Sequence, residues 1–240
     1  MLVWSECRAC ASNFTVHLQE IALQRQGRTA PQIFCMECNS LFHTSDYGES
    51  EAQWAADAQF LQAHKDGSLS AIVDYLQSAS PGESVYEAGC GVGDLLIDLS
   101  AAGLTASGID PNPAAVGLAT GKGAIAVRGY FAPLTEPVDA IICVDVMEHL
   151  ERPRPFFRDI VASVKPGGVI LVRVPEVEAR DWHWLRGAEI DTGFDFANPF
   201  RDNSVHITHF SRRGLLALAE GMGATYERTL PDAAVHVFRA

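Results

Sequence analysis

The chain has 240 residues, a formal net charge of −12 and an apolar content typical of a soluble globular protein. So acidic a chain has no broad footprint for nucleic-acid phosphates. No run of about 18 apolar residues marks a membrane-spanning helix, and a single large domain with a small appendage accounts for the length.

The N-terminal stretch MLVWSECRAC lacks the basic region and apolar run of a secretory signal. The expectation is a cytoplasmic protein with no membrane partner, whose six cysteines are reduced or metal-bound. Four of them form two C-x-x-C pairs, Cys7 with Cys10 and Cys35 with Cys38, 24 residues apart. Each pair can aim two thiolates at one ion, and two such knuckles make a closed tetrahedral zinc site. Every ligand position is then a cysteine, so the zinc is structural and no position is left for a catalytic water. A metal is needed because roughly forty residues bury little core unaided. Four unrelated thiols or a redox pair are the alternatives. Residues 14–34 are expected as short strands or a loop, and His17 and His43 as surface residues. The module is placed at residues 1–48.

Residues 39–53 read as a polar linker, with Tyr47 the exception. Helices are expected over 54–64 and 69–78, the second with Leu69, Ile72, Val73 and Leu76 on one face. Residues 49–80 thus form a linker and covering helices, ended by Pro81-Gly82. A strand follows over Val85, Tyr86 and Ala88, then glycines at every second position, Gly89, Gly91 and Gly93, then a helical face of Leu95, Leu96 and Leu99. A second strand over 105–109 ends in Asp110. Such a unit binds a nucleoside-type ligand: glycines admit the backbone close to it, the helix start offers N–H groups, and the acid accepts from ribose hydroxyls. A dinucleotide site wants G-x-G-x-x-G, whereas here the spacing is G-x-G-x-G. Glu87 would repel a pyrophosphate but suits a ligand carrying an amino acid and a sulfonium.

The residues EAGCGVG and GID resemble the first two motifs of class I S-adenosylmethionine (SAM) methyltransferases. The likeness runs from about Gly82 to the C-terminus. It implies that Glu87 holds the amino group, that Gly89, Cys90 and Gly91 pass the methionine part, and that Asp110 takes the ribose. Pro111 and Asn112 flank the adenine. Where relatives often carry Gly-Asp in the third-strand motif, this chain has Gly129-Tyr130-Phe131, so backbone groups of Tyr130 or Phe131 are expected at the adenine, with an aromatic ring against it.

The alternation continues with a helix from Pro113 to Ala119, strands over 123–128 and 138–144, a helix marked by Phe156, Phe157, Ile160, Val161 and Val164, and a sharp Lys165–Gly168 turn into a strand over 169–174. A helix over 215–221 precedes an antiparallel pair, 225–229 and 235–238. The expected fold class is α/β, a doubly wound, seven-stranded, mostly parallel sheet over 81–240 with a small N-terminal zinc ribbon. The run IICVDVMEHL, the run KPGGVILVRVPE and the run HITHFSRRGL resemble the ubiquinone-methyltransferase-like subgroup. The likeness implies Asp145 beside the transferring methyl. The cysteine pairs resemble those ahead of sugar C-methyltransferase domains, which carry a further C-terminal domain; the architecture carries over, the sugar substrate does not.

Methyl transfer from a sulfonium is an in-line displacement, and a nucleophile that must lose a proton needs a base. His149, His206 and His209 are the candidates. His206 matches the subgroup's histidine before Phe-Ser, while His209 is an extra that reads as exposed. Residues 176–210 are expected as a substrate lid holding Trp182, His183, Trp184, Phe194, Phe196 and Phe200. The sequence reading is a SAM-dependent methyltransferase acting on a small molecule or biosynthetic intermediate, by O-methylation. The alternatives are methylation of a peptide, carrier protein or RNA docked by the ribbon, and a non-catalytic SAM-binding adaptor.

Overall fold

A computed structural model describes residues 5–23, 28–43, 68–79, 82–177, 206–230 and 233–240. The helix expected over 54–64, Tyr47, and the lid aromatics from Trp182 to Phe200 lie outside the described residues. The chain divides into two compact units. One takes Met1–Asp46, Met147–Arg154 and Pro175–Gly221, and the other Tyr47–Val146, Pro155–Val174 and Met222–Ala240.

The larger unit is built on a seven-stranded sheet. Its strands are β4 (Ser84–Ala88), β5 (Thr105–Asp110), β6 (Ala126–Arg128), β7 (Val138–Val144), β8 (Val164–Arg173), β10 (Thr225–Leu230) and β11 (Val235–Arg239). Their order is β10-β11-β8-β7-β4-β5-β6. Pairings among β8, β7, β4, β5 and β6 are parallel, and β11 runs antiparallel to both β8 and β10. From Ala140 to Cys143 the residues of β7 are fully buried, the continuous apolar run that a parallel strand covered on both faces requires. Helix α1 (Ser68–Ala79) buries Leu69, Ile72 and Leu76 in the core that also takes Leu95, Leu96 and Leu99 of α2 (Asp94–Ala101). Asn112 caps α3 (Pro113–Gly121): its side chain accepts from the amides of Ala114 and Ala115, with Pro113 at the first helical position. Helix α4 (Pro153–Ala162) follows β7.

Strand order fixes where a ligand goes. The chain steps from β4 outward to β5 and β6, then returns to the other flank of β4 as β7. That reversal opens a crevice at the carboxyl ends of β4 and β7. Asp139 ties the opposite ends together: its carboxylate accepts from the Ser84 amide and hydroxyl at 3.0 and 2.6 Å and from Lys165 at 2.7 Å. Those contacts, Lys165 first, hold its pKa down to about 2. Two local expectations are corrected. Lys165–Gly168 belongs to β8 as a bulge, the register passing from Val138↔Val164 to Ala140↔Val169. The third strand is only Ala126–Arg128, because Gly123 turns with φ +94.

The smaller unit is an antiparallel four-stranded sheet, in the order β1 (Thr15–Leu23), β2 (Arg28–Cys35), β3 (Leu41–His43) and β9 (Thr208–His209). It also holds a 3-10 turn, Met147–His149, and helix α5 (Arg212–Gly221). The hairpin of β1 and β2 agrees with the short strands expected over 14–34. The linker does not: Leu41–His43 is a fully buried strand. Three residues paired to strands on both sides need few apolar side chains to be held, so composition alone misread them.

Candidate functional site

At the carboxyl end of β4 the backbone turns through Gly89, Gly91 and Gly93, at φ +86, +50 and +77. Left-handed dihedrals of this kind favour glycine. Space excludes side chains as well. A Cβ on Gly89 would lie 2.3 Å from Val146 Cγ2, and one on Gly93 2.7 Å from the Cβ of Ala119. A Cβ on Gly91 would point into open space, which leaves its backbone bare toward the cleft. Gly108 in the GID run has the same logic from the other side, since a Cβ there would sit 2.7 Å from that of Cys90. Cys90 is a buried small spacer, and burial pushes its thiol up to about 12, so it is no thiolate nucleophile.

The cleft at this turn is lined by Leu69, Glu87, the 89–95 stretch and Val144. Glu87 is buried at its inner side, and its Oε2 accepts no hydrogen bond among the described residues. Burial, with the Asp110 and Asp94 charges adding, pushes its pKa up to about 8. A buried carboxylate of this kind is costly unless a cation or donor meets it, which is what an amino-acid ammonium would supply. Asp110 accepts from the Gly91 amide at 2.9 Å and the Asn112 amide at 2.8 Å. Its pKa is raised, because burial outweighs those two bonds. Pro111 starts the turn from Asp110 into α3.

The other predicted cofactor residues make contacts of their own. Tyr130 is 61% exposed. Phe131 instead packs between Tyr86 and Phe156, with ring centroids 6.0 and 5.6 Å away. Asp145, at φ +53, pairs through both carboxylate oxygens with Arg173 Nε, at 3.0 Å, and Nη2. The two close neighbouring strands, Val144 lying opposite Arg173. Arg173 is a site residue that the sequence reading missed; its place at the end of a strand was the available signal.

In the smaller unit the four cysteines come together. Sγ of Cys7 lies 3.7 Å from that of Cys38, and Sγ of Cys10 3.6 Å from that of Cys35. Sulfurs around a tetrahedral zinc, at Zn–S of about 2.3 Å, are about 3.8 Å apart. The geometry therefore fits one ion. Hydrogen bonds within the thiol set hold Cys35 down to about 2 and push Cys7 and Cys38 up, so the cluster shares protons that a cation would replace.

The three predicted histidines also gather here. His149 and His206 rings are 4.7 Å apart between centroids, and His206 and His209 6.4 Å. Glu148, His149 and His206 place one ligand atom each within 4.8 Å of the others, a set able to hold a proton or a divalent ion. The Ile207 amide donates to the Glu148 carbonyl at 2.8 Å, which joins the 3-10 turn to the later segment. Two expectations are overturned. His209 is 3% exposed, not a surface residue, because β9 inserts it beside β3. Burial, with His206 and His43 adding, pushes it down to about 3, so it stays neutral at physiological pH. His43 is fully buried, not a surface residue, and lies in β3.

A doubly wound sheet with a glycine turn and a strand-end acid defines a class I methyltransferase fold. A methyltransferase-domain family model matches residues 61–229, and the chain belongs to that family. It is 23% identical over 166 residues to the mitochondrial ubiquinone biosynthesis O-methyltransferase of Schizosaccharomyces pombe, covering 62% of this chain and 60% of that protein. It is 25% identical over 190 residues to the ubiquinone biosynthesis O-methyltransferase of Burkholderia thailandensis, covering 72% and 81%. The match spans 60% and 52% of the fission-yeast and Ralstonia nicotianae relatives. Among solved structures, magnesium protoporphyrin IX methyltransferase from Synechocystis PCC 6803 with bound SAH superposes with a TM-score of 0.57 at 17% identity, over 81% of this chain and 94% of that one. The cyclopropane synthase MmaA2 from Mycobacterium tuberculosis gives 0.58 at 15%, over 77% of each. Among the described residues no helix is long and apolar enough to cross a membrane.

Proposed function

We propose that the chain O-methylates a small phenol-like acceptor, with SAM bound at the glycine turn, a histidine of the Glu148–His149–His206 cluster as base and zinc in the four-cysteine site. The observation that carries the cofactor assignment is Glu87, whose buried carboxyl has an oxygen with no partner among the described residues, beside a glycine-lined cleft. SAM supplies a methyl on a sulfonium with a good leaving group. Glu87 would hold its ammonium, Asp110 its ribose hydroxyls, and the bare Gly91 backbone would admit its methionine part. The chain's remaining task is to align an oxygen with that methyl and remove its proton. An unperturbed phenol, with a pKa of about 10, keeps its proton at neutral pH, so a base lowers the barrier. A histidine nitrogen would take the acceptor O–H proton as that oxygen gains the methyl that SAM would supply, the thioether being the leaving group. His206 and His149 suit the task, because His209 is too strongly held neutral to gain a proton. Glu148 Oε1 lies 4.0 Å from His149 Nε2.

The relatives named for ubiquinone biosynthesis support a phenolic acceptor. The test uses SAM carrying a labelled methyl and a panel of hydroxylated aromatics with and without polyprenyl tails. Label transferred to a ring oxygen supports the reading. Label found only on protein or RNA fractions, or no transfer from a SAM-bound enzyme to any of the panel, overturns it.

A further inference from the structure

The second cysteine knuckle is bonded directly to the segment that carries His206. Ser211 Oγ donates to the carbonyl of Cys38 and accepts from the Gly214 amide at 2.9 Å, so one hydroxyl both caps α5 and grips the knuckle. The Ser211 amide donates to Ser40 Oγ at 3.2 Å, and the Ser40 carbonyl accepts from the Cys35 amide at 2.9 Å. Gly214 makes room for this junction: a Cβ there would lie 2.0 Å from Ser40 Oγ and 3.2 Å from Cys38 Sγ. Five residues past Cys38, His43 reaches the same segment from its other end. Its amide donates to the Ile207 carbonyl at 3.2 Å, and its Nε2 lies 3.1 Å from the His206 carbonyl. A carbonyl only accepts, so Nε2 carries the proton.

We propose that the four-cysteine module, loaded with its metal, sets the position of His206, with Ser40, His43 and Ser211 as the positioning residues. The inference rests on the reading of His206 as an acid–base group. β9 has only two residues, too few to fix a histidine by their own ladder bonds. Its register comes from β3, through Leu41↔His209 and Phe42↔Thr208. β3 in turn follows three residues after Cys38, and the turn between them, with Asn39 at φ +66, is closed by the Asn39 amide on the Cys35 carbonyl at 2.9 Å. An ion bound by Cys35 and Cys38 holds that turn, and the turn holds both ends of the 206–211 stretch. The module then orients a catalytic group besides stapling the N-terminal hairpin.

The test compares the full chain, with zinc content measured, before and after the metal is stripped by a chelator. Amide hydrogen exchange is followed by mass spectrometry. Stripping is expected to speed exchange of peptides over 207–214 at least tenfold, with no change in peptides over 84–88 and 138–144. In the loaded protein, Ser211→Ala should reproduce this effect and move the His206 ring resonance in histidine-labelled NMR, and Ser211→Thr should restore both. If Ser211→Ala is insoluble, His43→Gln and Ser40→Ala carry the same two measurements. Unchanged protection at 207–214 after stripping, an unmoved His206 signal, or freshly purified protein without metal overturns the proposal. If exchange responds as stated but His206→Gln turns over like the parent, positioning stands and the base assignment falls.

Discussion

Glu87 and Asp110 stand near the ends of adjacent parallel strands, Glu87 opposite Gly108 and Asp110 two residues beyond, and the Asp110 charge adds to burial in keeping the Glu87 carboxyl protonated to about pH 8. The ligand-free site thus stores a proton where a ligand ammonium would go.

Binding of SAM should release that proton. An ammonium at Glu87 favours the carboxylate and lowers its pKa. Between about pH 4.5 and about 8 the free protein holds the proton and the complex does not. Titration calorimetry at pH 7 in buffers of different ionisation enthalpy should show close to one proton released, and affinity rising with pH up to about 8. The same shift makes the ligand-free fold lose stability as pH rises from about 4.5 through about 8, since the native carboxyl binds the proton more tightly than the unfolded one. Glu87→Gln should abolish the proton release and weaken SAM roughly tenfold or more. Heats independent of buffer would place the ammonium elsewhere.

Asp110→Ala should cost more. It removes the ribose acceptor and also frees the amides of Gly91 and Asn112, which hold the turn and the cap of α3. SAM affinity is expected to fall about a hundredfold, with a loss of roughly 1–3 kcal/mol in stability from the unpaired amides. Asp110→Asn keeps one acceptor oxygen for one of the two amides and turns an NH2 donor on the other, so it should recover only part of the stability and little of the affinity. A variant that binds SAM as tightly as the parent contradicts the ribose placement.

The larger unit was legible because local signals agree there. Glycine spacing, a strand-end acid and the buried run of β7 each follow from short-range chemistry, and Glu87 announced itself by sitting where a pyrophosphate could not. Elsewhere the deciding contacts are long-range. Ser211 reaches Cys38, 173 positions away in the chain. His43 and His209 are buried by the pairing of strands from opposite ends of the sequence, so no local pattern marks them as core. The four cysteines were readable from spacing; that their knuckle grips the His206 segment was not. The contact of Phe131 with Phe156 on α4 is likewise long-range and unmarked in the local sequence.

His209 makes the smaller unit acid-sensitive. Its native pKa of about 3 lies below the ordinary value of 6.5, so the unfolded chain binds the proton more readily. Stability is full above about pH 6.5 and falls as pH drops toward 3, by at most about 1.4 kcal/mol per unit. Glu87 acts with the opposite sign, so the two effects separate in a pH series of thermal melts. His209→Leu should flatten the acid limb while leaving the alkaline one. An acid limb unchanged in that variant assigns the sensitivity to other groups.

The Asp145–Arg173 pair should respond asymmetrically to substitution. Arg173 is mostly buried, with its side chain 11% exposed, whereas that of Asp145 is 25% exposed. Removing the acid strands a cation in the more buried position, and removing the base strands a carboxylate nearer to water. The stranded buried charge is the costlier one. Asp145→Asn is therefore expected to destabilise more than Arg173→Gln, even though Asn tolerates the left-handed backbone at that position. The double variant should be more stable than Asp145→Asn alone, because neither charge is then left unpaired. Denaturant melts of the two single variants and the double variant measure the coupling directly. Strictly additive losses would show that the two side chains do not act as a pair in solution.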